Sequence, residues 1–286
     1  FEALIEFNKA TEINRIFEEG MLLAEPLLGQ IKNISLSGIA DKSSLLEAQE
    51  KYTRLEIGLE KSRSAVAISK TNFLNLFQVE GVDFVEKIDP IQVNFQPDEI
   101  AKVVRSNYQL RRQLHFKNAI MLDKKALQVG DSPTISFSTS LVAPAKDFSQ
   151  DSVASAGLAV DYIFNDGGSR NAQIGALRAE IEAMNRITYD IESKLTARAI
   201  TLNQEYTTAK KTQFSLEDVL ALSEELRDTS KAQLISGRSS VQEILSAEVK
   251  LAEIKIELIT AEALATLASY RFNAITGELL DSIKWD

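Results

Sequence analysis

Apolar side chains recur at three- and four-residue spacing over most of the chain, which is the pattern of amphipathic helices. The predicted helices cover residues 1–36, 43–77, 97–129, 169–234 and 239–276. In the second and fourth of these stretches the spacing approaches a heptad repeat, which is typical of helices packed nearly parallel. We expect Pro26 to kink or break the first helix, and the third to be interrupted near Asn107. The pattern therefore predicts a mainly α chain built from a few long helices.

The last predicted helix carries two apolar stripes. One contains Ile244, Leu251, Ile254, Leu258, Ala261, Ala265, Ala268 and Phe272, and the other contains Leu245, Val249, Ala252, Ile256, Ile259 and Ala263. A two-stranded coiled coil needs only one such stripe. The second stripe therefore predicts neighbours on both sides, as in a helical bundle or a closed ring of helices.

A long internal repeat organises the helices. Shifting one half onto the other without a gap places Gly38 on Gly237, and Leu45 on Ile244. The duplicated unit is a helical hairpin with a glycine at its tip. The repeat divides the chain into a first helical hairpin at 1–78, a linker or equatorial segment at 79–96, ascending helices of the second repeat at 97–130, a β-hairpin at 131–168, a second helical hairpin at 169–278 and a tail at 279–286. In the linker, brief strands are possible.

Alternation of apolar with small or polar side chains is convincing in one part of the chain only. It covers residues 134–141 and 154–164, on either side of a turn-rich loop. Two such strands fit a half-buried hairpin of a soluble protein. They also fit an outer-membrane hairpin with one face toward lipid and the other toward a polar lumen. The pattern alone favours the soluble interpretation, because two strands are weak evidence for a barrel.

The amino-acid composition argues against several classes of function. The 286 residues include no Cys and one His, His115, so disulfides, thiolate metal sites and His-based acid–base catalysis are not expected. The balance of 41 acidic and 32 basic residues argues against nucleic acid as a partner. The phosphate-loop signature and any nucleophile–base arrangement are absent from the sequence. We therefore expect no enzyme activity, no cofactor and no metal site.

The order of these features resembles the TolC-type outer-membrane channel-tunnel proteins, the outer membrane factors of export systems. The resemblance is carried by the two glycine tips and by segment 240–248 after the second tip. It is also carried by the β region, in which Pro133 precedes two strands joined by a loop, and Asp166-Gly167-Gly168 then leads into a helix. The last feature is the C-terminal helix, which ends at 272–277. Each motif is weak alone, but their order and spacing cover nearly the whole chain.

The resemblance implies a homotrimer. In that fold, strands from three subunits close a transmembrane β-barrel in the outer membrane of a Gram-negative bacterium, and long antiparallel helical hairpins form an α-barrel that extends into the periplasm. The implied function is a passive duct in a tripartite efflux pump or a type I secretion system. Its partners would be outer-membrane lipid, a periplasmic adaptor and an inner-membrane transporter. The family supplies two strand hairpins per subunit, so we expect an N-terminal part to be missing before Phe1.

The same resemblance assigns roles to individual residues. The adaptor-docking candidates are Gly38, Ile39, Ala40, Gly237, Arg238 and Ser239. The pore-gate candidates, which would close the tip and attract cations, are Glu243, Glu47 and Asp41. Asp166, Gly167 and Gly168 would turn the chain from strand to helix. The alternative for each tip glycine is a simple tight turn, and for each acid a solvated helix surface.

Two other classes of protein are compatible with parts of the pattern. A soluble helical-bundle scaffold would use the β-hairpin as a cap. A periplasmic adaptor protein would place one helical hairpin between β-rich halves, whereas this chain has two helical hairpins and one small β segment. An enzyme is the least supported class, since no catalytic spacing of polar groups is present.

Overall fold

The computed structural model describes residues 1–37, 42–78, 86–129, 133–142, 153–162, 166–236 and 238–279. Within these ranges the helices are α1 (Glu2–Leu36), α2 (Lys42–Phe77), α3 (Pro97–Val103), α4 (Tyr108–Val129), α5 (Ser169–Ile235) and α6 (Val241–Thr276), and the strands are β1 (Thr134–Val142) and β2 (Val153–Asp161). The prediction of a mainly α chain with a small β part is confirmed. The chain divides into a helical unit, residues 1–102 and 197–286, and a hairpin unit, residues 103–196.

The two expected helix interruptions have different outcomes. The helix α1 continues through Pro26 without a break. Pro26 is exposed, so water can satisfy the carbonyl group that loses its helical partner. The interruption near Asn107 is confirmed, because a 3-10 turn at Val104–Ser106 ends there and the ψ angle of Asn107 is 133°. Oδ1 of Asn107 then accepts the backbone N–H of Gln109 at 2.8 Å, at the start of α4.

In the helical unit, α1, α2 and α6 pack against one another. The core between them consists of buried side chains from all three helices: Ala24, Ile31, Ala48, Leu55, Val241 and Leu245. α1 and α2 approach closely at Gly58, where an added Cβ would lie 2.2 Å from Cε1 of Phe17. A larger residue at position 58 would displace that ring, so the close contact depends on glycine.

The two stripes of α6 are buried to different degrees. The first is buried along its length except for Leu258, which is half-buried. In the second stripe Leu245 and Ala252 are buried, whereas Val249, Ile256, Ile259 and Ala263 are half-buried. Contacts within the described chain therefore cover the first stripe almost completely and the second only in part.

The described part of the predicted linker, 86–96, packs against α6 without forming a strand. The backbone N–H of Ile91 donates to Oγ of Ser269 at 3.1 Å, and the ring of Phe95 stacks on Phe272 with centroids 5.3 Å apart. Nδ2 of Asn203, on α5, donates to the carbonyl oxygen of Phe95 at 3.2 Å. These contacts connect the segment to both α5 and α6.

In the hairpin unit, β1 and β2 pair antiparallel, from Thr134 opposite Asp161 to Val142 opposite Val153. Polar contacts also join α4 and the preceding turn to α5: Nε of Arg105 donates to Oε1 of Glu192 at 2.9 Å, and Nε2 of Gln113 contacts Sδ of Met184 at 2.7 Å. Among the described helices, none has a stretch long and apolar enough to cross a membrane.

Candidate functional sites

The tip of the second helical hairpin is a short turn between α5 and α6. The backbone N–H of Arg238 donates to the carbonyl oxygen of Gln233 at 2.9 Å, which closes the end of α5. Arg238 is exposed and Ser239 is half-buried. The other docking candidates, Gly38, Ile39, Ala40 and Gly237, lie outside the described residues, as does the gate candidate Asp41.

Exposed apolar side chains stand at the same place in both repeats, and the sequence analysis did not single them out. Leu36 ends α1 and is 76% exposed, and Ile235 ends α5 and is 91% exposed. The gap-free alignment that places Gly38 on Gly237 also places Leu36 on Ile235. The spacing from each tip glycine was the signal in the sequence. Each tip region therefore presents an apolar side chain to its surroundings.

Glu243 has a structural role at the start of α6. Its Oε2 accepts the hydroxyl of Ser239 at 2.6 Å and the backbone N–H of Ser240 at 3.0 Å, while its own N–H donates to Oγ of Ser240 at 3.1 Å. This reciprocal pair is a capping box. The hydrogen bond from Ser239, followed by that from the Ser240 backbone, lowers the pKa of Glu243 below its ordinary value. The Ser-x-x-Glu spacing in the sequence is the signal for this capping box. The role of Glu243 as a gate residue stays a prediction.

The gate candidate Glu47 is tied to α6. Its carboxylate accepts a hydrogen bond from the side-chain amide of Gln242. One turn further on, Nζ of Lys51 donates to Oγ of Ser246 at 2.6 Å. These two polar links join α2 and α6 close to where both helices begin, so Glu47 holds two helices together whether or not it also faces a pore.

Glu248 is a buried carboxylate that the sequence analysis missed. It is 4% exposed, and its Oε1 lies 2.5 Å from Nζ of Lys231 on α5. It lies three residues after the buried Leu245 and three before the buried Leu251, and that spacing was the available signal for burial. The ion pair links α5 to α6 inside the helical unit.

The turn that starts α5 is built by Asp166 and two glycines. The carboxylate of Asp166 accepts the backbone N–H groups of Gly168 at 2.9 Å and of Arg170 at 2.8 Å. These bonds, the one from Arg170 first, hold the pKa of Asp166 below its usual range. Gly167 and Gly168 have φ angles of 65° and 83°, which favour glycine. The bond from Arg170 satisfies an N–H group in the first turn of α5, where backbone donors have no acceptor within the helix.

The β-hairpin has one apolar face that nothing in the described chain covers. Residues directly opposite each other share a face, so Ile135 pairs with Val160, and Phe137 with Leu158. Every residue of both strands is exposed, and Phe137 is 70% exposed. The soluble interpretation requires one face to be buried, and the described chain buries neither. The end of the predicted second strand, at Phe164, lies outside the described residues.

No protein-family model and no curated protein matches the chain. Solved structures do match. One is a membrane protein from Pseudomonas aeruginosa, with a TM-score of 0.72 and 14% identity over 96% of this chain. CusC, solved in a study of folding and transmembrane channel formation, has a TM-score of 0.71 and 11% identity over 97% of this chain. The open state of the Neisseria gonorrhoeae MtrE outer-membrane channel has a TM-score of 0.65 and 14% identity over 97% of this chain.

The chain spans 64%, 66% and 66% of those three chains respectively, which is less than two thirds of each. Identities this low establish a shared fold. The prediction of a channel-tunnel fold, with long helical hairpins and a strand hairpin, is thereby confirmed.

Proposed function

We propose that this chain is the outer-membrane channel-tunnel component of a tripartite efflux pump or a type I secretion system, and that it acts as a passive duct. The observation that carries the proposal is the uncovered apolar face of the β-hairpin. The support beside it is the fold shared with solved outer-membrane channels. No catalytic step is assigned to the chain, and an inner-membrane transporter would supply the energy for export.

The dimensions of the hairpin fit a membrane. Each strand has nine residues, and a tilted transmembrane strand needs about 9–11. An isolated two-stranded sheet is marginal in water, and its unpaired edges cannot be left open in lipid. A closed barrel provides lipid for the apolar face and a neighbouring strand for each edge.

A closed barrel requires strands from several subunits. A barrel with a filled or open interior has about eight strands or more, and the described part of this chain contributes two. Two strands from each of three subunits give six, so the strands described here form only part of such a barrel. The homotrimer in the outer membrane of a Gram-negative bacterium is proposed because the resemblance to the channel-tunnel family implies it. The helical hairpins of the three subunits would form the periplasmic α-barrel. The half-buried second stripe of α6 supports this, because it leaves apolar surface for a neighbouring helix.

The tips are the proposed docking surface for a periplasmic adaptor. Leu36 and Ile235 offer exposed apolar side chains there, at matching positions of the two repeats, and an adaptor that covered them would bury apolar surface. Glu243 and Glu47 are the proposed gate residues within the described chain. Opening would break the links from Glu47 and Lys51 to α6, so the structure of the tip supports a closed state held by polar contacts.

The proposal is tested first by the mass of the intact protein. We expect it to sediment with membranes, to require detergent for extraction and to have the protein mass of a trimer by light scattering. A monomer or dimer that is soluble without detergent would refute the channel and favour a soluble helical-bundle scaffold. A soluble protein that binds an outer-membrane channel would instead indicate a periplasmic adaptor.

Docking is tested separately by shortening the apolar side chains at the tips. Leu36→Ser combined with Ile235→Ser should abolish export in intact cells while the yield of trimers stays unchanged, because both side chains are exposed in the subunit. Loss of trimers would assign these residues to assembly, and full export would exclude them from docking.

A further inference from the structure

The two strands contain a single charged side chain, that of Asp161. It is the last residue of β2, opposite Thr134 at the first position of β1. It therefore lies at the end of the hairpin that joins the helices. Among the described residues, no basic side chain forms an ion pair with it.

Strand pairing places Asp161 on the face opposite the apolar one. Side chains alternate between the two faces of a strand, and directly opposite residues share a face. The pairing therefore puts Asp161 and Thr134 on one face with a set of mostly small residues, followed by one valine pair at the far end: Ser136, Ser138, Ser140, Ser155, Gly157, Ala159, Val142 and Val153. The hydrogen bond between Oγ of Ser140 and Oγ of Ser155, 2.7 Å long, lies on this face. Ile135, Phe137, Leu158 and Val160 lie on the other.

In a closed barrel the apolar face contacts lipid, so the face with Asp161 lines the lumen. This step rests on the proposed function. The lining from this hairpin is then made of hydroxyl groups, glycine and alanine, with the Val142–Val153 pair at one end and one carboxylate per subunit at the end next to the helices. We infer that Asp161 is a residue by which the lumen of the barrel distinguishes cations from anions. The trimer would place three such carboxylates at one level of the duct, a ring of the kind that favours cations in channels.

The expected size of the effect is modest. The lumen is aqueous and wide enough for export, so salt screens the ring beyond about 10 Å at an ionic strength of about 0.1 M. Three charges at that distance from the axis would change the ratio of cation to anion permeability by roughly two- to fivefold at low salt. The effect should shrink as the salt concentration rises.

The test is the reversal potential of purified trimers in planar lipid bilayers under a KCl gradient at low ionic strength. All variants carry Glu243→Gln and Glu47→Gln, which remove the two gate carboxylates of the described chain. A glutamine at position 243 can still form the capping box, and Glu47→Gln weakens the hydrogen bond from Gln242 that would help to hold the tip closed. Asp161→Asn should lower the preference for K⁺ over Cl⁻ by roughly two- to fivefold, and Asp161→Lys should shift it toward Cl⁻. Ser138→Asp, which adds an acid to the same face, should raise it.

The outcomes separate the inference from the proposed function. Conducting channels in which neither Asp161→Asn nor Asp161→Lys changes the reversal potential would refute the role of Asp161 and leave the channel intact. A protein that never conducts, even with the link between Glu47 and Gln242 weakened, would refute the channel itself and the inference with it. If Asp161→Asn fails to assemble, Ser138→Asp still decides which face lines the lumen, because a carboxylate there that leaves selectivity unchanged overturns the assignment.

Discussion

The helical unit and the β-hairpin obtain their stability in different ways. In the helical unit, apolar residues of α1, α2 and α6 bury one another, so that Leu245 and Phe272 are fully inaccessible. In the hairpin, every residue is exposed and Phe137 has no apolar cover in the described chain. A helix satisfies its own backbone hydrogen bonds, whereas a strand needs neighbours on both edges. Contacts within the described chain can therefore account for the helices but not for the hairpin.

The largest effect should come from a charge on the apolar face of the hairpin. In the proposed barrel, Phe137→Arg would place a guanidinium group in lipid, which costs about 2–4 kcal/mol at the middle of the bilayer. We expect trimers to be lost from the membrane fraction, since the cost recurs in each subunit. The measurement is the amount of detergent-extracted trimer, by light scattering and native gel.

Ser138→Arg is the matched control, because it puts the same charge one residue away on the opposite face. We expect it to leave trimers intact, with helix content by circular dichroism unchanged in both variants. Equal trimer yields for the two variants would contradict the assignment of faces, and with it the idea that lipid supplies what the hairpin lacks.

A smaller loss is expected inside the helical unit. Lys231→Met would leave the buried carboxylate of Glu248 without its cation, which we expect to cost about 1–3 kcal/mol. Lys231 is 46% exposed, so the loss should be less than for a fully buried pair. Thermal unfolding of the trimer followed by circular dichroism measures it. The double variant Lys231→Met/Glu248→Met should recover much of the stability, and a double variant no better than the single one would argue against the pair.

A comparison of two glycines tests the close contact between α1 and α2. Gly58→Ala places a methyl group against Phe17, and overpacking of this kind costs about 1–3 kcal/mol. The better helix propensity of alanine offsets about 0.5–1 kcal/mol of that loss. Gly29→Ala is the control, because nothing lies within 4 Å of its added Cβ, and it should stabilise by about 0.5–1 kcal/mol. Similar increases in Tm for both variants would mean that Phe17 moves away without cost.

The sequence predicts the helices because the three- and four-residue spacing of apolar residues is regular over long stretches. It predicts the β-hairpin because apolar and polar residues alternate there with a period of two, which does not fit a helix. The exposure of the hairpin could not be read from alternation, since a half-buried strand has the same pattern. The contact of Gly58 with Phe17 could not be predicted either, because it depends on how two helices cross. The capping role of Glu243 is predictable in principle, because the Ser-x-x-Glu spacing of a capping box is present in the sequence. The residue roles at the tips stay predictions, since four of the six docking candidates lie outside the described residues.

The smallest effect concerns the turn where the hairpin gives way to α5. Hydrogen bonds from the Arg170 and Gly168 backbone hold the pKa of Asp166 below its usual range. A carboxyl group with a lowered folded-state pKa stabilises the structure above its unfolded pKa of about 3.9, and that contribution is lost as pH falls through the lower folded-state value. Amide hydrogen exchange of residues 168–170 should therefore be slower in the wild type than in Asp166→Ala near neutral pH, and the difference should vanish in acid. Asp123→Asn, an exposed acid on α4, should leave this exchange unchanged. A difference that does not shrink as the pH falls would show that the carboxylate is not what orders the turn.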